Sequence, residues 1–148
     1  MDITMDKAIG SASVRLSKKL TRIINIYLKP YNITTEQWSV LRTLSDSDEI
    51  SQKELSQRSD KDQATLTKIL DLLVKHELVE RLPNPADRRS FLIKITAKGG
   101  KIVHEVTPYL EKIFLKITRE ISEEKLLMYR EVLLSLEANI DGLLEQNN

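Results

Sequence analysis

Between residues 78 and 95 the hydrophobic period of the chain changes from that of a helix to that of a strand. Two five-residue runs of branched and aromatic side chains, Leu78–Leu82 and Phe91–Ile95, flank an eight-residue segment that holds two prolines and two adjacent arginines. Such runs predict two strands, and the short polar connection between them predicts an antiparallel hairpin. Because proline neither donates to a sheet ladder nor continues a helix, Arg88 and Arg89 are expected to lie in solvent at the hairpin tip.

The remainder of the chain predicts helices, because only four glycines and four prolines stand among 148 residues. In residues 5–29 apolar side chains recur every three or four positions until Pro30 ends the pattern. A further helix follows Thr96 and contains Pro108, which is expected to kink or split it. The last helix follows Ser122, and its apolar side chains recur as in a coiled-coil seam, at Leu126, Tyr129, Leu133, Leu136, Ile140 and Leu143.

Capping signals mark two shorter helices. Thr34 is the predicted N-cap of a helix that reaches about Leu44, with Gln37 as its capping-box partner. Ser51 and Glu54 predict the same reciprocal arrangement for a short helix over residues 52–57. Both helices are therefore expected to begin at a hydroxyl side chain that satisfies free backbone N–H groups.

A fourth helix starts in the turn formed by residues 59–62 and ends near His76. Together with the preceding short helix it forms a helix-turn-helix, which the predicted hairpin, or wing, follows directly. We therefore predict a mainly α chain with a small β-hairpin wing (α+β). Its parts are expected to be an N-terminal helix at 1–34, a winged helix-turn-helix at 35–100 and a C-terminal helical region at 101–148.

Charge is unevenly distributed along the chain, although the formal net charge is only +1. Residues 51–101 hold 11 basic and 7 acidic side chains, whereas residues 102–148 hold 5 basic and 9 acidic ones. A basic middle segment suggests a polyanionic partner, and an ordinary solvated surface is the alternative.

Several classes of protein are excluded by what the sequence lacks. The absence of cysteine excludes disulfides, cysteine-ligated zinc and thiol-based sensing, and it fits a reducing compartment such as the cytoplasm. His76 and His104 lack the spacing of a metal site, and neither a nucleophile with its base nor a phosphate-binding glycine loop is present. With no signal peptide and no membrane-spanning run, we expect a cytoplasmic protein without cofactor, metal or enzymatic activity.

The helix-turn-helix and the wing are spaced for duplex DNA, because a helix fits the major groove while an extended arm reaches the adjacent minor groove. Asp62 suits an N-cap of the fourth helix, here called the reading helix, or an acceptor from cytosine N4. Glutamine can pair with adenine, a threonine methyl can touch that of thymine, and lysine suits phosphate. The candidate DNA-binding residues around Asp62 are Lys61, Gln63, Thr65, Thr67 and Lys68, for which a solvated polar face is the alternative.

The order of these elements resembles the MarR family of transcription regulators across nearly the whole chain. Four segments carry the resemblance: Asp62–Thr67 in the reading helix, Leu78–Arg81 after it, and Asn84–Arg89 running on to Ile95–Gly99. The resemblance implies a homodimer whose terminal helices interlock and whose two lobes read a pseudo-palindrome in double-stranded DNA.

The resemblance also implies roles for single residues. Arg89 would enter the minor groove, and Asp87 would hold that arginine by a salt bridge; for Arg88 and Arg89 a hairpin tip kept soluble by charge is the alternative. Glu77 stands where the family commonly has the glycine that ends the reading helix, so a left-handed or otherwise costly backbone conformation is expected there.

By the same resemblance the chain is expected to be a repressor that binds an inverted repeat with half-sites about 10 base pairs apart. A small-molecule effector would release it by favouring another dimer geometry. Tyr27, Tyr31 and Trp38 are candidates for an effector pocket, and Trp38 packing on Ile33 in the core is the alternative. Two other functions stay open: a winged-helix interaction subunit without specific DNA binding, and a ligand carrier whose basic wing is incidental.

Overall fold

The computed structural model describes residues 4–147, so the first three residues and the last residue of the predicted terminal arms lie outside it. The chain forms two compact units, Met1–Leu110 and Glu111–Asn148. In chain order the elements are α1 (Ala12–Leu28), α2 (Thr35–Asp46), β1 (Ile50–Ser51), α3 (Gln52–Arg58), α4 (Gln63–Lys75), β2 (Val79–Pro83), β3 (Phe91–Ile95), α5 (Ala97–Ile117) and α6 (Glu123–Gln146). The predicted mainly α chain with a small β component is confirmed.

The first predicted helix is divided into three parts. A π-helical stretch, Asp6–Ser11, precedes α1, and a 3-10 turn, Lys29–Tyr31, follows it. Pro30 lies inside that turn, so α1 ends at Leu28, just before the position where proline restricts its neighbour. Asn32 then takes a left-handed conformation with φ of 56° and ends the turn.

The caps of the two short helices are formed by the predicted hydroxyl groups. Thr34 Oγ1 accepts from the N–H of Gln37 at 3.2 Å, and Gln37 Oε1 accepts from the N–H of Thr34 at 3.0 Å, which confirms the capping box of α2. Ser51 Oγ accepts from the N–H of Glu54 at 3.1 Å. The reciprocal bond predicted for Glu54 is wrong, because its carboxylate pairs with Arg58 at 2.8 Å one turn further along.

The sheet has three strands in the order β1-β3-β2, and both pairings are antiparallel. The hairpin runs from the pair Val79 and Ile95 to the pair Pro83 and Phe91, so the two predicted strands are confirmed. The sequence predicts Pro83 in the loop, whereas in the structure it ends β2, an edge strand that tolerates the missing N–H. The third strand, β1, was missed because two residues are too short to show a period.

The core of the first unit joins the helix-turn-helix to the wing. Its fully buried side chains come from α1, α2, α3, α4, the sheet and α5, and they include Leu28, Leu41, Leu44, Leu55, Leu66, Leu70, Leu73, Ile93 and Val106. Because β3 contributes Ile93 to the same cluster as the leucines of α4, the wing and the reading helix share one packed interior.

The second long helical segment begins with α5, which runs unbroken through Pro108. Of the two expected outcomes the split is wrong, and the kink stays a prediction. Pro108 has no N–H, so the helical hydrogen bond to the His104 carbonyl is lost. Both residues are exposed, so water can donate a hydrogen bond to that carbonyl instead. Ser122 caps α6 as predicted, its Oγ accepting from the N–H of Lys125 at 3.2 Å.

Candidate nucleic-acid interface

The reading helix α4 begins with a side-chain cap. Asp62 Oδ1 accepts from the backbone N–H of Thr65 at 2.8 Å, and its Oδ2 accepts from the Thr65 hydroxyl at 2.9 Å. These two bonds hold the pKa of the Asp62 carboxyl below its ordinary value. Of the two roles predicted for Asp62, the geometry favours the N-cap, because both carboxylate oxygens are already engaged within the helix.

The segment from Lys61 to Lys68, at the start of the reading helix, places its polar side chains at or near the surface. Gln63, Thr67 and Lys68 are exposed, whereas Lys61 and Thr65 are half-buried. The Thr67 hydroxyl donates to the backbone carbonyl of Gln63 at 2.8 Å and accepts from Gln52 Nε2 at 2.8 Å. The exposed side chains of Gln63 and Thr67 therefore lie near two lysines, Lys61 and Lys68.

The wing loop is held by two short turns. Asn84 Oδ1 accepts from the N–H of Ala86 at 3.0 Å, and Asp87 Oδ1 accepts from the N–H of Arg89 at 2.9 Å. Both arrangements are Asx turns, which fix a tight backbone without regular structure. Arg88 and Arg89 are exposed at the tip, as predicted.

The predicted salt bridge from Asp87 to Arg89 is not formed among the described residues, since Asp87 bonds to the backbone of Arg89 and not to its guanidinium. The carboxylate shapes the loop that carries the arginine. The guanidinium is thereby left free of an ion pair and can meet an external anion.

A crevice of about 500 Å³ lies between the start of the reading helix and the wing. We call it the wing crevice; it is lined by Ser51, Gln52, Lys53, Gln63, Asn84, Asp87, Arg89, Ser90 and Phe91. The structure thus brings Gln63, Asp87 and Arg89 together, as a joint DNA-binding site would require. Lys61, Thr65, Thr67, Lys68 and Arg88 do not line it.

Sequence reasoning missed the contribution of α3 to this crevice. Gln52 and Lys53 occupy the first turn of α3, which the sequence marked only through its Ser51 cap. Phe91, about half exposed at 48%, forms another part of the wall. Gln52 and Lys53 directly follow the Ser51 N-cap in the first helix of the helix-turn-helix. That position is the sequence feature that could have indicated their place in the crevice.

The reading helix ends in the predicted left-handed residue. Glu77 has φ of 61°, and the surrounding bonds form a Schellman motif, in which the Leu78 N–H donates to the Leu73 carbonyl at 2.9 Å. The Thr96 hydroxyl donates to the Glu77 carbonyl at 2.7 Å and secures the turn from the start of α5. Gly99 is required nearby, because a Cβ there would lie 2.3 Å from the Leu78 carbonyl oxygen.

The three aromatic candidates for an effector pocket occupy different environments. Trp38 is buried in the core of the first unit with Ile33, while Tyr27 and Tyr31 are half-buried and pack against that core. Burial and the neighbouring Glu105 carboxylate raise the pKa of the Tyr31 hydroxyl. Trp38 therefore fits the structural alternative, as a staple partner, better than an open pocket wall.

Within residues 4–147, no group of three or more acidic or histidine side chains could hold a metal ion. No helix in that range is long and apolar enough to cross a membrane.

Comparison with known proteins gives concordant matches. A family model described as "MarR family" matches residues 33–91. The multiple antibiotic resistance protein MarR of Escherichia coli K12 is 39% identical over 97 residues, which are 66% of this chain and 67% of the relative.

Two solved structures are also similar to this chain. A mutant of MarR from E. coli complexed with operator DNA superposes with a TM-score of 0.82 at 28% identity, covering 91% of this chain and 99% of the other. NadR in complex with 4-hydroxyphenylacetate superposes with a TM-score of 0.74 at 27% identity, covering 86% of this chain and 91% of the other.

Proposed function

The chain belongs to the MarR family, and from this premise we propose that it is a homodimeric repressor that binds an inverted-repeat operator and is released by a small-molecule effector. As a family member it is a DNA-binding winged helix-turn-helix transcription regulator and not an enzyme. The observation that carries the proposal is the wing crevice, which joins the reading helix to the wing arginine. A reading helix beside an exposed wing arginine supports binding with the helix in one groove and the arm in the next.

The proposed DNA contacts follow from the exposure and chemistry of the side chains. Gln63, Thr65 and Thr67 face base edges, while Lys61, Lys68 and Arg88 neutralise phosphates. Asp62 and Asp87 orient the helix start and the wing loop, and Arg89 enters the minor groove, where a guanidinium reads width and negative potential. The E. coli relative with operator DNA supports this arrangement through its similar fold.

A homodimer is supported by the apolar surface of α6. This helix has no buried residue in the described chain, although apolar side chains occur on several of its faces. The exposed ones are Leu127, Met128, Tyr129, Val132, Leu133, Leu134, Ile140, Leu143 and Leu144. A helix that is apolar on several faces requires a packing partner, and a second copy supplies one with matching shape and twofold symmetry.

The twofold symmetry of the proposed dimer determines the symmetry of the proposed operator. Two identical reading helices read an inverted repeat when their half-sites lie about 10 base pairs apart on one face of the duplex. An effector that binds preferentially to another spacing of the lobes would release the DNA, because only differential affinity shifts such an equilibrium. NadR, solved with 4-hydroxyphenylacetate, supports a small aromatic effector, for which Tyr27 and Tyr31 are the proposed contacts. The proposed location is the cytoplasm.

The test is fluorescence anisotropy of labelled duplexes from the chain's own upstream DNA and of scrambled duplexes of equal composition. We expect tight binding to the first only, and a loss of affinity on the order of 1,000-fold between about 50 and 200 mM salt if six or more phosphates are neutralised. Lys68→Gln should reduce the salt dependence, whereas Lys112→Gln, an exposed lysine of α5, is the matched control. Equal binding to both duplexes, with a genome-wide pull-down that recovers no specific site, would favour the interaction-subunit alternative.

A further inference from the structure

The side chain of Gln52 is tied to the reading helix across the helix-turn-helix. Its Nε2 donates to Thr67 Oγ1 at 2.8 Å, a contact that spans 15 positions of the sequence and joins the first turn of α3 to α4. Gln52 also lines the wing crevice with Gln63 and Arg89. The contact therefore lies within the proposed DNA-reading surface.

The hydroxyl of Thr67 is committed within the protein. A threonine hydroxyl has one proton to donate, and Thr67 donates that proton to the Gln63 carbonyl at 2.8 Å. The bond from Gln52 occupies one of the two acceptor positions on the same oxygen. Thr67 consequently has no proton for the acceptors that purines and thymine display in the major groove.

With the oxygen held by two bonds, the side-chain rotamer of Thr67 is fixed. The γ-methyl is the remaining substituent on Cβ, and Thr67 is exposed. On an exposed residue near the start of a reading helix, a side-chain methyl group has a matching partner in the major groove, the C5-methyl group of thymine.

We propose that Gln52 is a positioning residue for base readout: it locks the Thr67 hydroxyl so that Thr67 presents its methyl group and selects a thymine methyl in each half-site. The proposal rests on the DNA-binding function proposed above. Without Gln52, only the bond to the Gln63 carbonyl holds the Thr67 hydroxyl, so the side chain can leave this rotamer and the position of its methyl group is no longer fixed.

The experiment compares thymine with deoxyuridine, which lacks only the C5-methyl group. The full-length chain selects its preferred duplex from a random library, and each thymine of that duplex is then replaced in turn. Burying one methyl group predicts a loss of about fourfold in affinity at one symmetric position of each half-site. Thr67→Ser should abolish this discrimination, whereas Thr67→Val, which retains a methyl group, should keep it.

The role of Gln52 is isolated by Gln52→Met, a variant of similar length that cannot donate. We expect Gln52→Met to discriminate less between thymine and deoxyuridine at the position read by Thr67, and we expect the double variant with Thr67→Val to regain that discrimination. Gln57→Met, an exposed glutamine of the same helix, is the matched control for folding and general affinity.

The possible outcomes test DNA binding, methyl readout by Thr67 and positioning by Gln52 separately. If the native chain selects no sequence, the DNA-binding function itself is overturned. If it binds selectively but tolerates deoxyuridine everywhere, methyl readout by Thr67 is overturned. If Gln52→Met discriminates as the native chain does, Thr67 reads thymine without help and the positioning role of Gln52 is overturned.

Discussion

Arg81 and Asp71 tie the first strand of the wing to the reading helix, since the Arg81 guanidinium lies 2.6 Å from Asp71 Oδ1. The arginine side chain is mostly buried, at 24% exposure, while that of the aspartate is 61% exposed. The pair joins β2 to the exposed side of α4, the two elements proposed to enter neighbouring grooves. We therefore expect it to affect the spacing of these two elements more than the stability of the fold.

Replacing Arg81 with methionine should weaken operator binding more than it weakens folding. The stem is retained, so the packing loss is small, and a partly solvated ion pair contributes below about 1 kcal/mol to stability. Anisotropy with the operator and urea unfolding measure the two effects. Lys101→Met, which breaks the exposed pair with Glu105 on α5, is the control. Unchanged operator affinity in Arg81→Met would show that the pair does not set the spacing.

Replacing Glu77 with glycine should stabilise the protein. The residue has φ of 61°, a conformation in which a side chain costs about 1 kcal/mol and glycine costs almost nothing. The greater freedom of glycine in the unfolded chain offsets part of the gain. A higher urea midpoint with unchanged operator binding is expected. Glu80→Gly, at an exposed position of β2 with ordinary backbone angles, should instead destabilise, and a lower midpoint in Glu77→Gly would contradict the strain argument.

The features that the sequence predicted correctly are local ones. The Thr34 and Gln37 capping box spans three positions, and the left-handed Glu77 follows from the end of a single helix. Both interactions are complete within one turn of the chain. Residue type and spacing place the capping box, whereas the glycine that the family commonly has at this position is what pointed to Glu77.

The features that the sequence missed depend on parts of the chain that meet only after folding. The two residues of β1 gain strand character from pairing with β3, and the Ile95 N–H donates to Asp48 Oδ1 at 2.9 Å across 47 positions. The contact between Gln52 and Thr67 is of the same kind. The expected Asp87 salt bridge is replaced by a backbone contact, because an N–H two residues away is the better-placed donor.

Alanine at Arg89 should weaken operator binding by about 1–3 kcal/mol, because the guanidinium is exposed and free of an ion pair in the described structure. Stability should not change, since the bond from Arg89 to Asp87 comes from the backbone N–H, which alanine retains. Competition anisotropy measures the effect, with Arg119→Ala as a control at another exposed arginine. Gln63→Ala should alter base preference instead, and unchanged binding in both variants would overturn the assigned roles.

The N-cap of the reading helix should make stability depend on pH. Hydrogen bonds from Thr65 lower the pKa of Asp62 in the folded state below the ordinary value of 3.8. The carboxylate therefore contributes stability that is fully present above about pH 3.8 and is lost as the pH falls through the lower folded pKa. An asparagine side chain caps a helix without titrating, so the urea midpoint of Asp62→Asn should fall less steeply from about pH 5 to about pH 3 than that of the native chain. Parallel midpoints over this range would contradict the prediction.

Charge on the apolar surface of α6 should separate the proposed dimer. Leu133 and Ile140 lie seven positions apart on one side of the helix, and they are 36% and 53% exposed in the single chain. Burying a carboxylate in an apolar interface without a partner is strongly unfavourable, so Leu133→Asp with Ile140→Asp should yield monomers by sedimentation. Because a monomer engages one half-site, its operator affinity should fall steeply while single-half-site binding persists. Glu131→Lys, an exposed charged position on the opposite side of the same helix, is the control, and a dimer that survives both aspartates would place the interface elsewhere.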